Sequence, residues 1–108
     1  MADDLQLPTR PTLADFQRFV VELEDVRGFS DQSVIDKCLL MGEEVGELFK
    51  AVRTREGLKI DIPGGEVGQE LADVFIFLCS IANRYGLDLE AEIRAKEEKN
   101  KTRVWTGR

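Results

Sequence analysis

Five carboxylates sit where apolar residues would be expected. The stretch "MGEEVGELFKAV", residues 41–52, seats Glu43, Glu44 and Glu47 next to Leu48, Ala51 and Val52, and "QELADVFIFL", residues 69–78, seats Glu70 and Asp73 beside Phe77. An α-helix turns about 100° per residue, so with Glu44 at 0°, Glu47 falls at about 300° and Glu43 at about 260°. Leu40, Ala51 and Leu48 fall at about 320°, 340° and 40°, in the same sector. With Glu70 at 0°, Asp73 falls at about 300° and Phe77 between them at about 340°. Each helix thus points an acidic pair at its packed face. If the faces meet, four carboxylates converge where burial and mutual repulsion are costly. Lys or Arg could neutralise them, or a divalent metal could. An all-oxygen set without His or thiolate suits Mg²⁺ or Mn²⁺. The plainer alternative is a solvated acidic edge.

Cations complement these acids near the C-terminus. With Lys96 at 0°, Asn100 lies at about 40°, Arg103 at about 340° and Lys99 at about 300°. Such charges also suit a helix C-terminus through the macrodipole. Beside a metal-binding acid cluster they complete the equipment of phosphoanhydride cleavage. The chain of 108 residues has no histidine, which removes imidazole bases and imidazole zinc sites. Its net charge of −6 argues against a long nucleic acid as partner.

Four helices must position these groups. Leu13, Phe16, Phe19, Val20, Leu23 and Val26 recur at helical spacing from Thr12 to Arg27, and Gly28 closes that helix. Ser30 or Asp31 can cap a second helix reaching about Arg55. "TREGLKIDIPGG" reads as a polar loop with a short extended piece at residues 59–62. A third helix runs from about Glu66 to Tyr85, and Asp88 caps a fourth reaching about Arg103. The fold class is all-α: a four-helix bundle of antiparallel neighbours over residues 12–105, preceded by a loose arm at residues 1–11. Cys38 and Cys79 read as core residues. No apolar run reaches membrane-spanning length, the start lacks a signal-peptide pattern, and a cytoplasmic location is expected. A chain this small buries only roughly 65% of its unfolded surface, so a partner subunit would help it.

The two acidic stretches together resemble the EExxE and ExxD motifs of the MazG-like, all-α nucleoside triphosphate pyrophosphohydrolases. "GLDLEAEIRAKEEKNKTRVW" is similar to that family's last helix with its K-x(3)-N-x(2)-R ending, and "TLADFQRFVVELEDVRGF" resembles small members that include the dCTP pyrophosphatases. The resemblance implies Mg²⁺ ligation by Glu44, Glu47, Glu70 and Asp73, with Glu43 as a further ligand or as the base that orients water. It implies a triphosphate gripped by Lys96, Asn100 and Arg103, hydrolysed to monophosphate and pyrophosphate, in a homodimer or homotetramer. Aromatic residues stack the base in pyrimidine-specific relatives. Phe29 and Trp105 are the candidates here, while Phe16 and Phe19 fit the core by periodicity. Trp105 would cover either a ligand or a subunit boundary. A phosphoribosyl-ATP pyrophosphohydrolase and a non-catalytic acidic interaction module are the competing functions.

Overall fold

Three of the four helices start where the sequence supplies a side-chain cap; the third, preceded by Glu66, has none. The computed structural model describes residues 3–107 and contains α1 (Leu13–Arg27), α2 (Val34–Arg55), α3 (Val67–Arg84) and α4 (Leu89–Asn100). Thr12 and Asp15 form a capping box at α1: Thr12 Oγ1 accepts from the Asp15 N–H at 3.1 Å, and Asp15 Oδ2 accepts from the Thr12 N–H at 2.9 Å. Ser33 and Asp36 repeat it at α2. The cap is therefore Ser33, not Ser30 or Asp31, because only Ser33 has an acid three residues on to answer it. Gly28 leaves α1 with φ 81°, a left-handed conformation that favours glycine.

α4 also ends earlier than its sequence suggests. Asp88 caps it as expected, accepting from the Glu90 and Ala91 N–H groups, but the helix stops at Asn100. The Trp105 indole N–H donates to the Asn100 carbonyl at 2.9 Å, folding the tail back over the last turn. Arg103 thus lies beyond the helix and off the stripe of Lys96 and Asn100. The connection between α2 and α3 forms no strand at residues 59–62 among the described residues. It is held instead by Thr54, whose hydroxyl donates to the Lys50 carbonyl and accepts from the Gly64 N–H at 2.9 Å.

The core gathers Val20, Leu23 and Cys79, with Phe16, Phe19, Phe75, Ile76, Leu89 and Leu5 packed around it. Phe16 meets Phe75 edge to face at 5.4 Å, so the first two phenylalanines of α1 are core residues. Cys38 is exposed, contrary to the core role its apolar neighbourhood suggests. It lies about 100° around α2 from the buried Lys37, outside the sector that faces α1 and α3. α2 packs mainly along α3, α3 also along α1, and α4 chiefly against α1. The N-terminal segment lies against this body through Leu5 on the core and Asp3, which accepts from Arg27. Its first two residues lie outside the described range.

Candidate active site

The long hairpin of α2 and α3 brings acids from both helices to one corner. Carboxylate oxygens of Glu44, Glu70 and Asp73 all lie within 4.8 Å of one another. Glu44 and Glu70 are half-buried and Asp73 is exposed. Burial pushes the Glu44 carboxyl up, and the charges of Asp73 and Glu70, a hydrogen bond with Glu70 and the charge of Glu47 add to the rise. Three crowded carboxylates with one reluctant to ionise form a vacancy in charge that a cation would relieve. The donor set is all oxygen, which fits Mg²⁺ or Mn²⁺. A Cβ on Gly65 would come within 3.0 Å of Glu70 Oε1, so the loop closes tightly over this corner.

The other acids of α2 stand apart. Glu47 is exposed and lies outside the converging trio, although its charge reaches Glu44. Glu43 is exposed, about 100° around α2 from Glu44. With Lys37 at 0°, Glu44 falls at about 340°, Glu47 at about 280° and Glu43 at about 240°, and only the first of the three glutamates is half-buried.

A pocket of about 420 Å³ opens from the acid corner. Asp73, Ile76, Phe77 and Ser80 line it along α3. Phe29, expected as a base contact, lines it; Leu23, Glu24, Arg27, Gln32, Lys37 and Leu40 form its remaining sides. Beneath it lies a charged network absent from the sequence-based reading. Glu24 Oε2 accepts from the Ser80 hydroxyl at 2.6 Å and lies 3.1 Å from Lys37 Nζ, while Arg84 Nη1 lies 2.9 Å from Glu24 Oε1. Desolvation opposes the Glu24 charge, but the bonds from Ser80, Arg84 and Lys37 outweigh it and hold the carboxyl below its ordinary value. The available signal was positional: Glu24 shares the face of Gln17, Val20 and Leu23, and Lys37 stands two turns before Glu44.

The C-terminal cations form a separate group. Lys96 is exposed; Asn100 donates to Glu97 at 3.0 Å, and its Oδ1 is buried without a partner. Arg103 stacks over the Trp105 ring at 4.6 Å. Trp105 is thus engaged with the end of α4, away from the pocket that Phe29 lines.

A family model for the MazG nucleotide pyrophosphohydrolase domain matches residues 32–105. The chain belongs to the MazG family. The match spans both acid-bearing helices, the loop between them and α4. A similar protein is the uncharacterized protein YvdC of Bacillus subtilis (strain 168), 30% identical over 97 residues, covering 81% of this chain and 91% of the relative. The family is one of nucleotide pyrophosphohydrolases, which supports hydrolase activity on nucleotides at the level of the family. No helix is long and apolar enough to cross a membrane among the described residues.

Proposed function

We propose that this MazG protein hydrolyses a (deoxy)nucleoside triphosphate to the monophosphate and pyrophosphate in a Mg²⁺-dependent reaction, as a nucleotide-pool enzyme in the cytoplasm. The convergence of Glu44, Glu70 and Asp73 within a MazG domain supports this most directly. These three would hold the ion, with Glu47 joining from one turn along α2. A bound divalent ion supplies Lewis-acid polarisation of phosphate oxygens and lowers the pKa of water. Glu43 and Glu44 are the carboxylates offered to orient that water and accept its proton. Lys96, Asn100 and Arg103 would take up charge on the triphosphate, and Phe29 would stack against the base at the pocket wall.

The catalytic unit is proposed to be a homodimer or homotetramer. The described residues have a radius of gyration of 16.6 Å, against about 13 Å for a compact domain of this length. The accessible surface is 8374 Å², against roughly 6,100 Å² for a folded monomer of this mass. Large apolar side chains are among the exposed ones. Ile35, Leu39 and Phe49 stand exposed on the outer side of α2, around Gly42 and Gly46, where an added Cβ would meet open space. A second copy packed there would cover this stripe, with the glycines admitting close approach of helices. α4 leans on α1 rather than on the acid-bearing hairpin, which favours a site whose cations are brought in by assembly.

Pyrophosphate release from the canonical ribo- and deoxynucleoside triphosphates and a set of modified ones, with and without Mg²⁺, tests the function. Metal-dependent release that Glu47→Ala and Asp73→Ala abolish while the helical spectrum is retained is expected. Absence of release from every nucleotide would sink it.

A further inference from the structure

The polar groups lining the pocket and those beneath it are not equally satisfied; of the lining cations, Arg27 is exposed to water and donates to Asp3. Arg84 directs its donors to Glu24, Ser80, the Phe29 carbonyl and the Gln32 carbonyl, so it is fully engaged in tying α1 to α3. Ser80 donates to Glu24. Lys37 differs. Its side chain is 5% exposed, and its ammonium has three protons for one carboxylate partner, Glu24 at 3.1 Å. Otherwise it faces the rings of Phe29 and Phe77, at 5.1 and 5.5 Å from their centroids. Opposite in sense, Gln32 Oε1 is buried with no hydrogen-bond partner. Unmatched donors and acceptors that water does not reach are costly, and a donor and an acceptor left over on one pocket call for a ligand that answers both.

A phosphate group could answer the cations Lys37 and Arg27 but not both leftovers, since its oxygens would also face the carboxylate of Glu24 and the bare oxygen of Gln32. A planar heterocycle answers both. Apolar Leu23, Leu40 and Ile76 and the two rings suit its faces and edges, a ring carbonyl suits Lys37, and an N–H suits Gln32. Asp73 belongs both to the pocket lining and to the acid corner, so the two adjoin, as a base attached to a metal-bound triphosphate requires.

We propose that this pocket selects the base of the nucleotide, with Lys37 and Gln32 as its specificity-determining residues, and that it takes bases carrying a ring carbonyl oxygen (uracil, thymine, cytosine and guanine) over adenine, whose acceptors are ring nitrogens, weaker partners for an ammonium. It rests on the pyrophosphohydrolase function proposed above. Glu24 and Arg84 act through Lys37, by fixing its ammonium, and are positioning residues.

Equilibrium binding of α,β-methylene deoxynucleoside triphosphates to the full chain with Mg²⁺ tests selection apart from turnover. The adenine analogue is expected to bind at least about tenfold more weakly than the best of the others, and Lys37→Met to weaken the best ligand by about 10- to 100-fold, flattening the ranking. Gln32→Leu leaves the Glu24 network intact and should flatten the ranking in the same direction, so a misfolded Lys37 variant does not shield the proposal. Adenine binding within about threefold of the best base would overturn it, as would a ranking unchanged in both variants or no binding of any analogue. Ranked binding without pyrophosphate release would instead count against the hydrolase. Release without ranking would count against the pocket alone.

Discussion

Glu24 of α1 and Lys37 of α2 are paired at 3.1 Å, with side chains only 7% and 5% exposed, and Arg84 of α3 binds the same carboxylate from the other side. Three helices therefore share one carboxylate. Removing the charge strands two buried cations. Glu24→Gln is expected to lower stability by about 3 kcal/mol, the scale for breaking a buried pair by losing one partner. Urea unfolding monitored by circular dichroism measures it, and a loss under about 1 kcal/mol would show that solvent reaches the network.

The same carboxylate sets a pH dependence. Its folded pKa lies below the unfolded value, so its contribution is fully present above about pH 4.3 and is lost as pH falls through the folded value. Thermal melts of wild type and Glu24→Gln from pH 7 to pH 3 should converge at the acid end. Parallel curves would contradict the assignment.

Asp73 carries opposite consequences for stability and activity. Its charge helps push Glu44 up, so the metal-free fold carries repulsion that Asp73→Asn relieves. We expect Asp73→Asn to melt about 2–5 °C higher than wild type in EDTA, to lose the stabilisation that Mg²⁺ gives wild type, and to lose turnover. A variant that still gains stability from Mg²⁺ would place the ion elsewhere.

Helix number, the α1 and α3 boundaries within a residue or two, and the convergence of Glu44, Glu70 and Asp73 were legible in the sequence because each follows from a local rule: apolar spacing, a cap, a shared helical sector. The buried network was not. The face it shares with Gln17, Val20 and Leu23 separates Glu24 from the exposed Glu22, but nothing local names its partners or distinguishes Lys37 from the half-buried Lys50; the network depends on which side of each helix meets the other two. The early end of α4 was hidden for a similar reason. "KNKTR" continues the helical composition, and it is the Trp105 indole, five residues on, that takes the Asn100 carbonyl. Cys38 looked like core because its neighbours are apolar, yet α2 has a second apolar side that a single chain leaves uncovered.

Gly64 holds the loop against α2. A Cβ there would lie 2.7 Å from the Ala51 nitrogen and 2.8 Å from the Lys50 carbonyl carbon, both backbone atoms that cannot step aside. Gly64→Ala is expected to cost about 1–3 kcal/mol through this overlap. Because Gly65, beside it, passes close to Glu70, turnover should fall as well. Gly57→Ala in the same loop supplies a contrast: its φ of 75° strains any side chain, but no atom lies within 4 Å, so it should cost stability while sparing activity.

The outer side of α2 decides the assembly. Gly42 and Gly46 are one turn apart, with open space where side chains would be, and exposed Ile35, Leu39 and Phe49 flank them. In a monomer these glycines only weaken a helix, by about 1 kcal/mol each relative to alanine. Gly46→Ala should therefore stabilise an isolated chain. If a second copy packs there, a larger side chain instead holds the helices apart. Gly46→Leu is expected to shift the light-scattering mass from a dimer or tetramer toward 12.2 kDa and to lower the melting temperature in a concentration-dependent way. An unchanged assembly with an unchanged or higher melting temperature would move the subunit contact away from α2, and the exposed Leu71 and Leu78 of α3 would be the next surface to substitute.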